Sequence, residues 1–380
     1  MTQVLDCTIS EHFSALKDPR TGRMVDHYLI EILIIAICAV ICGADDWVAI
    51  EQFGQAKEKW FRTFLHLPNG IPSHDTFRRV FAQLEPEAFQ ACFVSWMQGI
   101  AHLSQGEIVP IDGKCLRRSH DRGSGKVAIY MVSAWASTNR LVLGQRKTEE
   151  KSNEITAIPE LLSRLALAGC IVTIDAIGCQ TNIAQQIIQQ EADYVLALKG
   201  NQGTLHQDVE SLFTYAFEKE FQDIAHHTYQ TVEKGHGRVE IRRYWTISDP
   251  EFLTWLDPKN KWAGLRSIGR VEAQRIIDDD VTSEIRYYIS SLAGDAAQFG
   301  RAVRTHWQIE NCVHWVLDIS FREDDCRIRT GSGPQNMAVL RHIALNLLQQ
   351  EHSAKCGVKN KRLKAAWDND YLLKVLSHLS

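Results

Sequence analysis

Ile108-Val109-Pro110-Ile111-Asp112 is a short apolar run that ends in an acid, and residues 170–175, which read Cys-Ile-Val-Thr-Ile-Asp, repeat the pattern. Short β-branched runs bounded by turn residues are typical of buried strands. Each aspartate is therefore predicted at the carboxyl end of a strand, the edge where open α/β sheets bind ligands. A third acid, Glu310, lies far downstream in a long amphipathic segment. Three carboxylates from separate elements suit two hard cations, and two such cations suit phosphodiester chemistry.

The region around the two aspartates alternates between strand and helix patterns. We predict strands at 108–112, 127–136, 139–147, 171–175 and 193–198, and helices near 154–168 and 181–190. The first three strands form an antiparallel meander, and strand–helix–strand connections bring the Asp175 strand parallel to the Asp112 strand. The predicted fold class is α/β, with a mixed sheet flanked by helices.

The remaining sequence divides around this core. The predicted parts are an N-terminal helical domain at 1–105, a catalytic core at 106–200 and 293–350, a β-rich insertion at 201–292 and a basic C-terminal tail at 351–380. Asp295 is a suitable N-cap for a helix that continues to about Leu317 and carries Glu310. The length of 380 residues has room for two or three domains.

A helix that begins after Ser73 exposes Arg78 and Arg79 and buries Phe77. A capped helix with basic residues in its first turns, following another helix, is typical of helix-turn-helix DNA readers. A solvated helix face explains the same pattern equally well. We predict on this basis that residues 1–105 bind DNA ends.

Composition restricts where nucleic acid could bind. The formal net charge is -4 and the pI about 6.4, so any DNA-binding surface must be local. Ten cysteines without a CxxC pair, in a chain without a secretory signal, favour reduced thiols and a cytoplasmic bacterial location. The most apolar stretch, Ile32 to Gly43, is shorter than the roughly 20 residues that a membrane span needs, so we predict a core helix and no membrane partner.

Two further sets of basic residues are candidate phosphate contacts. Lys114, Arg117 and Arg118 follow Asp112 in a stretch that continues through Arg122 and Lys126, and a soluble loop is the alternative. Lys359, Lys361 and Lys364 lie in a C-terminal stretch without acids. They are predicted to contact phosphates without reading bases.

Two other groups of residues are rival candidates for the metal site. His306, Glu310 and His314 are spaced four apart, as on one helix face, but a zinc site needs a further ligand. We therefore interpret the two histidines as positioning or packing residues. The acidic run Glu323 to Asp325 could supply the third metal ligand instead of Glu310. It lies beyond the predicted helix end, where acidic runs are usually solvated turns, so Glu310 is favoured.

The motifs Ile111-Asp112-Gly113-Lys114, Asp175-Ala176 and residues 306–311 (His-Trp-Gln-Ile-Glu-Asn) resemble those of the DDE transposases of bacterial insertion sequences. The branch with the strongest resemblance includes the H-repeat-associated proteins of Rhs elements. The resemblance extends over nearly the whole chain, since Asp18-Pro19-Arg20 and Asp45-Asp46-Trp47 are similar to that branch's associated domain. The resemblance implies an RNase H-like core, Mg²⁺ dependence with Mn²⁺ as a substitute, and Asp112, Asp175 and Glu310 as catalytic metal ligands.

The resemblance also implies partners and an activity. A DDE transposase cuts and joins double-stranded DNA at its element's terminal inverted repeats and at a target, and the need to pair two ends implies a homodimer. Many relatives carry a Tyr seven residues before the glutamate, an Arg four residues before it and a Lys seven residues after it. This chain has Val303, His306 and Leu317 at those positions. A hairpin-forming step therefore lacks its usual residues, and Arg304 is the candidate phosphate contact. The alternatives are a metal-dependent nuclease on the same fold without joining activity, and a non-mobile DNA-binding remnant.

Overall fold

A nine-stranded mixed sheet organises the chain in the computed structural model, which describes residues 11–20, 25–101, 103–120, 127–148, 154–235, 237–278 and 280–377. The strands are β1 (Ile108–Cys115), β2 (Tyr130–Ala136), β3 (Leu141–Thr148), β4 (Ile171–Ile174), β5 (Asp193–Leu198), β6 (His226–Gly235), β7 (Arg238–Ile247), β8 (Ser267–Ile277) and β9 (Asp280–Ser290). They lie in the order β3-β2-β1-β4-β5-β9-β8-β7-β6.

The first five strands form the core predicted from the sequence. β1 pairs antiparallel with β2 and parallel with β4, and β4 pairs parallel with β5. The parallel register sets Ile111 beside Ile174, so the residues that follow them emerge at the same edge of the sheet. The predicted mixed sheet, with a meander followed by parallel strands, is confirmed.

The last four strands extend this sheet. β6 to β9 are consecutive antiparallel neighbours, and β9 pairs antiparallel with β5. All four lie within residues 201–292, where the sequence predicts a β-rich insertion. The pairing of β9 with β5 makes the β-rich region a continuation of the core sheet.

Helices cover the sheet and form the N-terminal region. They are α1 (Leu29–Ile41), α2 (Trp47–Phe61), α3 (His74–Gln83), α4 (Pro86–Ile100), α5 (Glu154–Leu162), α6 (Thr181–Gln189), α7 (Gly203–Glu218), α8 (Pro250–Leu256), α9 (Ala296–His306), α10 (Trp315–Phe321), α11 (Gly333–Gln350), α12 (Val358–Trp367) and α13 (Asn369–Ser377). Among the described helices, none is both long enough and apolar enough to cross a membrane.

α11 joins the N-terminal helices to the sheet. It packs against α1, α3, α4 and β3, and it is buried along most of its length. The Asn346 side chain accepts a hydrogen bond from the Val142 amide (2.8 Å) and donates one to the Val142 carbonyl (2.9 Å). α1, predicted as a core helix, is buried from Glu31 to Ile41. The N-terminal helices and the sheet therefore share one apolar core.

Two predicted elements differ from the structure. The long helix expected to carry Glu310 is α9, which ends at His306, followed by a π-helical turn at Glu310–His314 and then α10. The segment predicted as a basic tail contains α12 and α13. Both helices pack on the molecule, and the Lys361 ammonium is buried and donates hydrogen bonds to the Leu348 and Glu351 carbonyls. Lys361 is therefore removed from the phosphate-contacting set, because its charge is satisfied inside the protein.

Candidate active site

β1 and β4 place the two predicted aspartates side by side. Asp112 follows Ile111 within β1, and Asp175 follows Ile174 at the end of β4, its parallel neighbour. The Asp175 Oδ1 atom accepts hydrogen bonds from the Ile177 amide (3.1 Å) and the Gly178 amide (3.4 Å). These bonds form a turn directly after the strand and hold the carboxylate at the sheet edge. Both aspartates are half-buried.

Glu310 reaches the same edge from a helix that crosses the sheet. The Asp295 side chain caps α9 by accepting hydrogen bonds from the Ala297 and Gln298 amides, as the sequence predicted. Val303 on α9 is buried in an apolar cluster with residues of β4, β5 and β9. Glu310 then begins the π-helical turn and is exposed. Single π-helical turns of this kind are frequent at functional sites.

The three acids line one cavity of about 230 Å³. Lys199, just after β5, and Arg286, on β9, line the same cavity and bring two positive charges to it. Within the described ranges, no three His, Cys, Asp or Glu side chains cluster tightly enough to hold a metal ion. The acids thus surround a common space without forming a closed cage around a single point.

The donor chemistry of this cavity fits hard divalent cations. Mg²⁺ prefers carboxylate oxygens and keeps several waters, so it does not need a cage made of protein alone. A pair of ions could share Asp112 in the centre, with Asp175 and Glu310 each holding one, and this arrangement does not require all three acids at one ion. A zinc site on His306, Glu310 and His314 receives no support, since these residues do not form a metal-holding group either.

Two half-buried imidazoles, those of His306 and His314, adjoin the aspartates. His314 Nδ1 lies 3.5 Å from Asp112 Oδ2, and His306 Nδ1 lies 3.1 Å from Thr173 Oγ1, within hydrogen-bonding distance. Burial, reinforced by the Lys114 charge, lowers the pKa of His314 to about 4. Burial also lowers the pKa of His306, although the Asp175 charge opposes the shift. Both rings are therefore neutral at pH 7 and position the site without adding cations to it.

Lys114 has a different environment from the one predicted. Its Nζ atom lies 2.5 Å from Asp318 Oδ1 and 2.6 Å from Glu323 Oε2, and only 10% of the side chain is exposed. The prediction that Lys114 contacts phosphate is corrected, because the ammonium is used to neutralise acids inside the protein. The two ion pairs of Lys114 connect β1, which carries Asp112, to the segment that follows the π-helical turn.

The same cluster weakens the case for Glu323 as the third metal ligand. Burial opposes ionisation of Glu323, but the charges of Lys114 and Arg341 outweigh it and lower the pKa to about 2. The carboxylate is ionised, almost fully buried and balanced by two cations. It does not line the cavity that Glu310 lines. Glu310 remains the better candidate.

Other predicted DNA contacts are accessible and paired with acids. Arg117 lies 3.2 Å from Asp324, and Arg118 lies 3.4 Å from Asp325. Arg304 Nη2 lies 3.2 Å from Glu233 Oε2. These carboxylates hold the guanidinium groups in place while leaving them reachable. Arg122 and Lys126, from the same predicted stretch, lie outside the described residues.

The remaining predicted contacts lie on two surface helices. Arg78 and Arg79 are exposed on α3, whose N-cap is Ser73 as predicted, and Arg78 pairs with Asp75 at 3.0 Å. Lys359 and Lys364 are exposed on α12. Neither helix lines the cavity that the three acids line. Their contacts with DNA stay predictions.

Sequence reasoning did not place Arg286 or His314 beside the three acids. Arg286 reaches the cavity because β9 pairs with β5, and no sequence motif near Arg286 predicts this pairing. His314 could have been found from its spacing of four residues from Glu310, which suggested a shared helix face. The π-helical turn brings it to Asp112 instead.

Comparison with known proteins agrees with this geometry. The family described as "Transposase DDE domain" matches residues 103–347, and the family described as "DDE_Tnp_1-associated" matches residues 10–97. The chain is 41% identical over 373 residues to "H repeat-associated putative transposase YhhI" of Escherichia coli K12, covering 97% of each protein. It is 43% identical over 378 residues to "Putative transposase YncI" of Escherichia coli O157:H7, covering 98% of this chain and 95% of that protein. These matches confirm the RNase H-like fold class, and the chain belongs to the DDE transposase family.

Proposed function

We propose that this protein is a transposase that binds the ends of an insertion sequence and catalyses Mg²⁺-dependent strand cleavage and strand transfer. One observation carries the proposal. Asp112, Asp175 and Glu310, which lie on separate elements and are far apart in the sequence, line a single cavity at the sheet edge. Carboxylates gathered in this way suit divalent ions, and phosphodiester chemistry is what paired divalent ions serve.

The chain's own residues divide the work. Asp112, Asp175 and Glu310 would hold Mg²⁺, or Mn²⁺ as a substitute, and the bound ions would activate the attacking hydroxyl and stabilise the leaving oxygen. Lys199 and Arg286 line the cavity as cations that orient the scissile phosphate by donating to its non-bridging oxygens. Val303, Tyr288 and Trp307 supply apolar wall, which strengthens these electrostatic contacts by excluding water.

Binding of DNA must rely on local surfaces, because the net charge is -4. The proposed contacts are solvent-accessible basic residues in four regions, which are α3, the segment after β1, α9 and α12: Arg78, Arg79, Arg117, Arg118, Arg304, Lys359 and Lys364. Of these regions, the helix α3 is proposed to read the element's ends in a major groove. Two copies of the protein are proposed to act together, since two ends must be paired.

The test is cleavage of a supercoiled plasmid that carries the gene with its flanking chromosomal DNA. Asp112→Asn, Asp175→Asn and Glu310→Gln should each abolish Mg²⁺-dependent cutting at the element boundaries while duplex binding and the far-ultraviolet circular dichroism spectrum stay unchanged. Each loss should be severe, because a two-ion site cannot place both ions after losing a ligand. The matched control is Glu218→Gln, an exposed acid at the end of α7, which should cut like the wild type.

The outcomes separate the alternatives. Cutting without joined products would favour a nuclease on the same fold, and duplex binding without cutting by the wild type would favour a DNA-binding remnant. Wild-type cutting by Glu310→Gln together with an inactive Glu323→Gln would assign the third ligand to Glu323. Inverted repeats and a short target duplication flanking the gene would favour a mobile element.

A further inference from the structure

An open groove of about 670 Å³ lies on one face of β7, β8 and β9. It joins the catalytic cavity, because both are lined by Arg286, Tyr288, Val303, Trp307 and Glu310. Anything that fills the catalytic cavity and extends beyond it in this direction must enter the groove. We call this feature the insertion groove.

α9 covers only part of the sheet face on which the insertion groove lies. Phe299 of α9 packs edge-on against Tyr288, with ring centroids 5.4 Å apart, and against Tyr244 at 6.4 Å. Toward the tips of the strands, Arg238, Arg275 and Glu284 line the groove and are exposed. The strand tips thus present a polar face that the described helices leave open to a ligand.

The charges on this face are mainly positive. Side chains alternate between the faces of a strand, so Arg238 and Arg242 point to the same side of β7. Residues paired across neighbouring strands lie on the same face of the sheet. Glu240 of β7 pairs with Arg275 of β8, and Val271 of β8 pairs with Arg286 of β9, so Arg275 and Arg286 lie on that face too. The groove is lined by five arginines and three glutamates: Arg238, Arg242, Arg275, Arg286, Arg304, Glu240, Glu284 and Glu310. A protein of net negative charge has therefore gathered arginines beside its catalytic cavity.

Most of these arginines are held in place by acids. Arg238 lies 2.7 Å from Glu240, Arg286 lies 2.7 Å from Glu284, and Glu233 at the groove margin pairs with Arg304. Arg275 is different, since no carboxylate within the described residues lies within ion-pair distance of it. An anion in the groove could therefore bind the Arg275 guanidinium without displacing a carboxylate. To bind Arg286 it would have to compete with the Glu284 carboxylate.

We propose that the insertion groove binds the sugar-phosphate backbone of the DNA strand as it leaves the catalytic cavity. The inference rests on the proposed function, which places the scissile phosphate in that cavity. Arg286 lies at the junction, with its guanidinium 4.4 Å from the centre of the Trp307 ring, where it orients the scissile phosphate, and Arg238 and Arg275 contact the phosphates that follow in the groove. Arginine suits this role because its planar fork donates to two phosphate oxygens at once. Such contacts position the strand and do not read its sequence.

The test measures the salt dependence of binding with the full-length protein and a random-sequence 30-bp duplex, by fluorescence anisotropy. Arg238→Gln/Arg275→Gln should reduce the slope of log affinity against log salt by about 1.8, since each phosphate contact contributes about 0.9. The matched control is Arg243→Gln/Arg266→Gln, which removes the same charge from residues that do not line the groove. Its slope should equal that of the wild type.

A second variant changes affinity in the opposite direction, so misfolding cannot imitate the result. Glu284→Gln removes an exposed negative charge from the groove and should tighten duplex binding. The same series on a single-stranded 30-mer shows whether the groove takes an unpaired strand, for which each contact contributes about 0.7.

Equal slopes for the groove pair and the wild type on both probes, or no tightening by Glu284→Gln, would overturn the groove assignment while leaving the proposed function intact. Failure of the wild type to bind either DNA would overturn the groove assignment and the proposed function together.

Discussion

Replacing Lys114 with methionine tests how the strand that carries Asp112 is held against the segment that follows Glu310. Methionine keeps most of the side chain's length and apolar contacts but removes its charge. The Lys114 ammonium lies 2.6 Å from Glu323, whose side chain is only 2% exposed, and 2.5 Å from Asp318, which is 29% exposed. Lys114→Met therefore leaves one carboxylate that water can reach and one that it cannot.

The expected destabilisation follows from these exposures. Breaking a buried ion pair by removing one partner costs about 3–5 kcal/mol. Asp318 can be hydrated and adds little, and Glu323 keeps Arg341 at 3.6 Å, so the lower end of that range applies, about 3 kcal/mol. Glu323→Gln added to Lys114→Met removes the unpaired charge, and the double variant should be more stable than the sum of the single effects by about 1 kcal/mol or more.

Urea unfolding followed by tryptophan fluorescence measures the free energy of unfolding for this cycle. Lys359→Met, at an exposed lysine on α12, is the control and should change stability by no more than about 0.5 kcal/mol. The salt slope of DNA binding should be the same for Lys114→Met and the wild type, because the ammonium does not reach the surface. A wild-type free energy of unfolding combined with a reduced salt slope would refute this reasoning and restore Lys114 as a phosphate contact.

Three further predictions concern pH and the two basic helices. The pKa of Glu323 is lowered from 4.5 to about 2, so its ionised carboxylate stabilises the fold fully above about pH 4.5 and loses this effect as the pH falls toward 2. Glu323→Gln should lack this acid-dependent loss of stability, and acid-unfolding curves that are identical for the variant and the wild type would contradict the ion cluster. Arg78→Ala/Arg79→Ala should reduce the preference for element-end duplex over random duplex in a mobility-shift assay; an unchanged preference would move end recognition away from α3. Lys359→Ala/Lys364→Ala should flatten the salt slope by about 1.8 and weaken specific and random binding by similar factors, and a wild-type slope would show that α12 does not contact DNA.

The N-terminal prediction needs point substitutions rather than a deletion. α1, α3 and α4 pack against α11, so removing residues 1–100 would expose the apolar face of α11. A truncated protein would lose DNA binding through unfolding, whatever α3 does. Arg78 and Arg79 are exposed, so their replacement leaves this packing intact.

The strands, most of the helices and the two aspartates could be predicted from the sequence because their signals are local. A β-branched run closed by an acid specifies both a strand and the position of a carboxylate at its end, as at Asp112 and Asp175. N-caps are equally local, and Ser73 and Asp295 begin their helices as predicted. The motif around Glu310 indicated the family, although the helix pattern gave no sign of the π-helical turn.

The tertiary structure alone decided what the charged residues do. Lys114 meets Glu323 across 209 positions of sequence, and the acid-free stretch that predicted a tail contains Lys361, whose charge is satisfied by helix-end carbonyls. Arg286 reaches the cavity of the three acids because β9 pairs with β5. A charge in a sequence has no burial and no partner until the chain folds. Whether it is solvated, paired or turned toward a substrate depends on long-range packing, and local pattern carries no information about that.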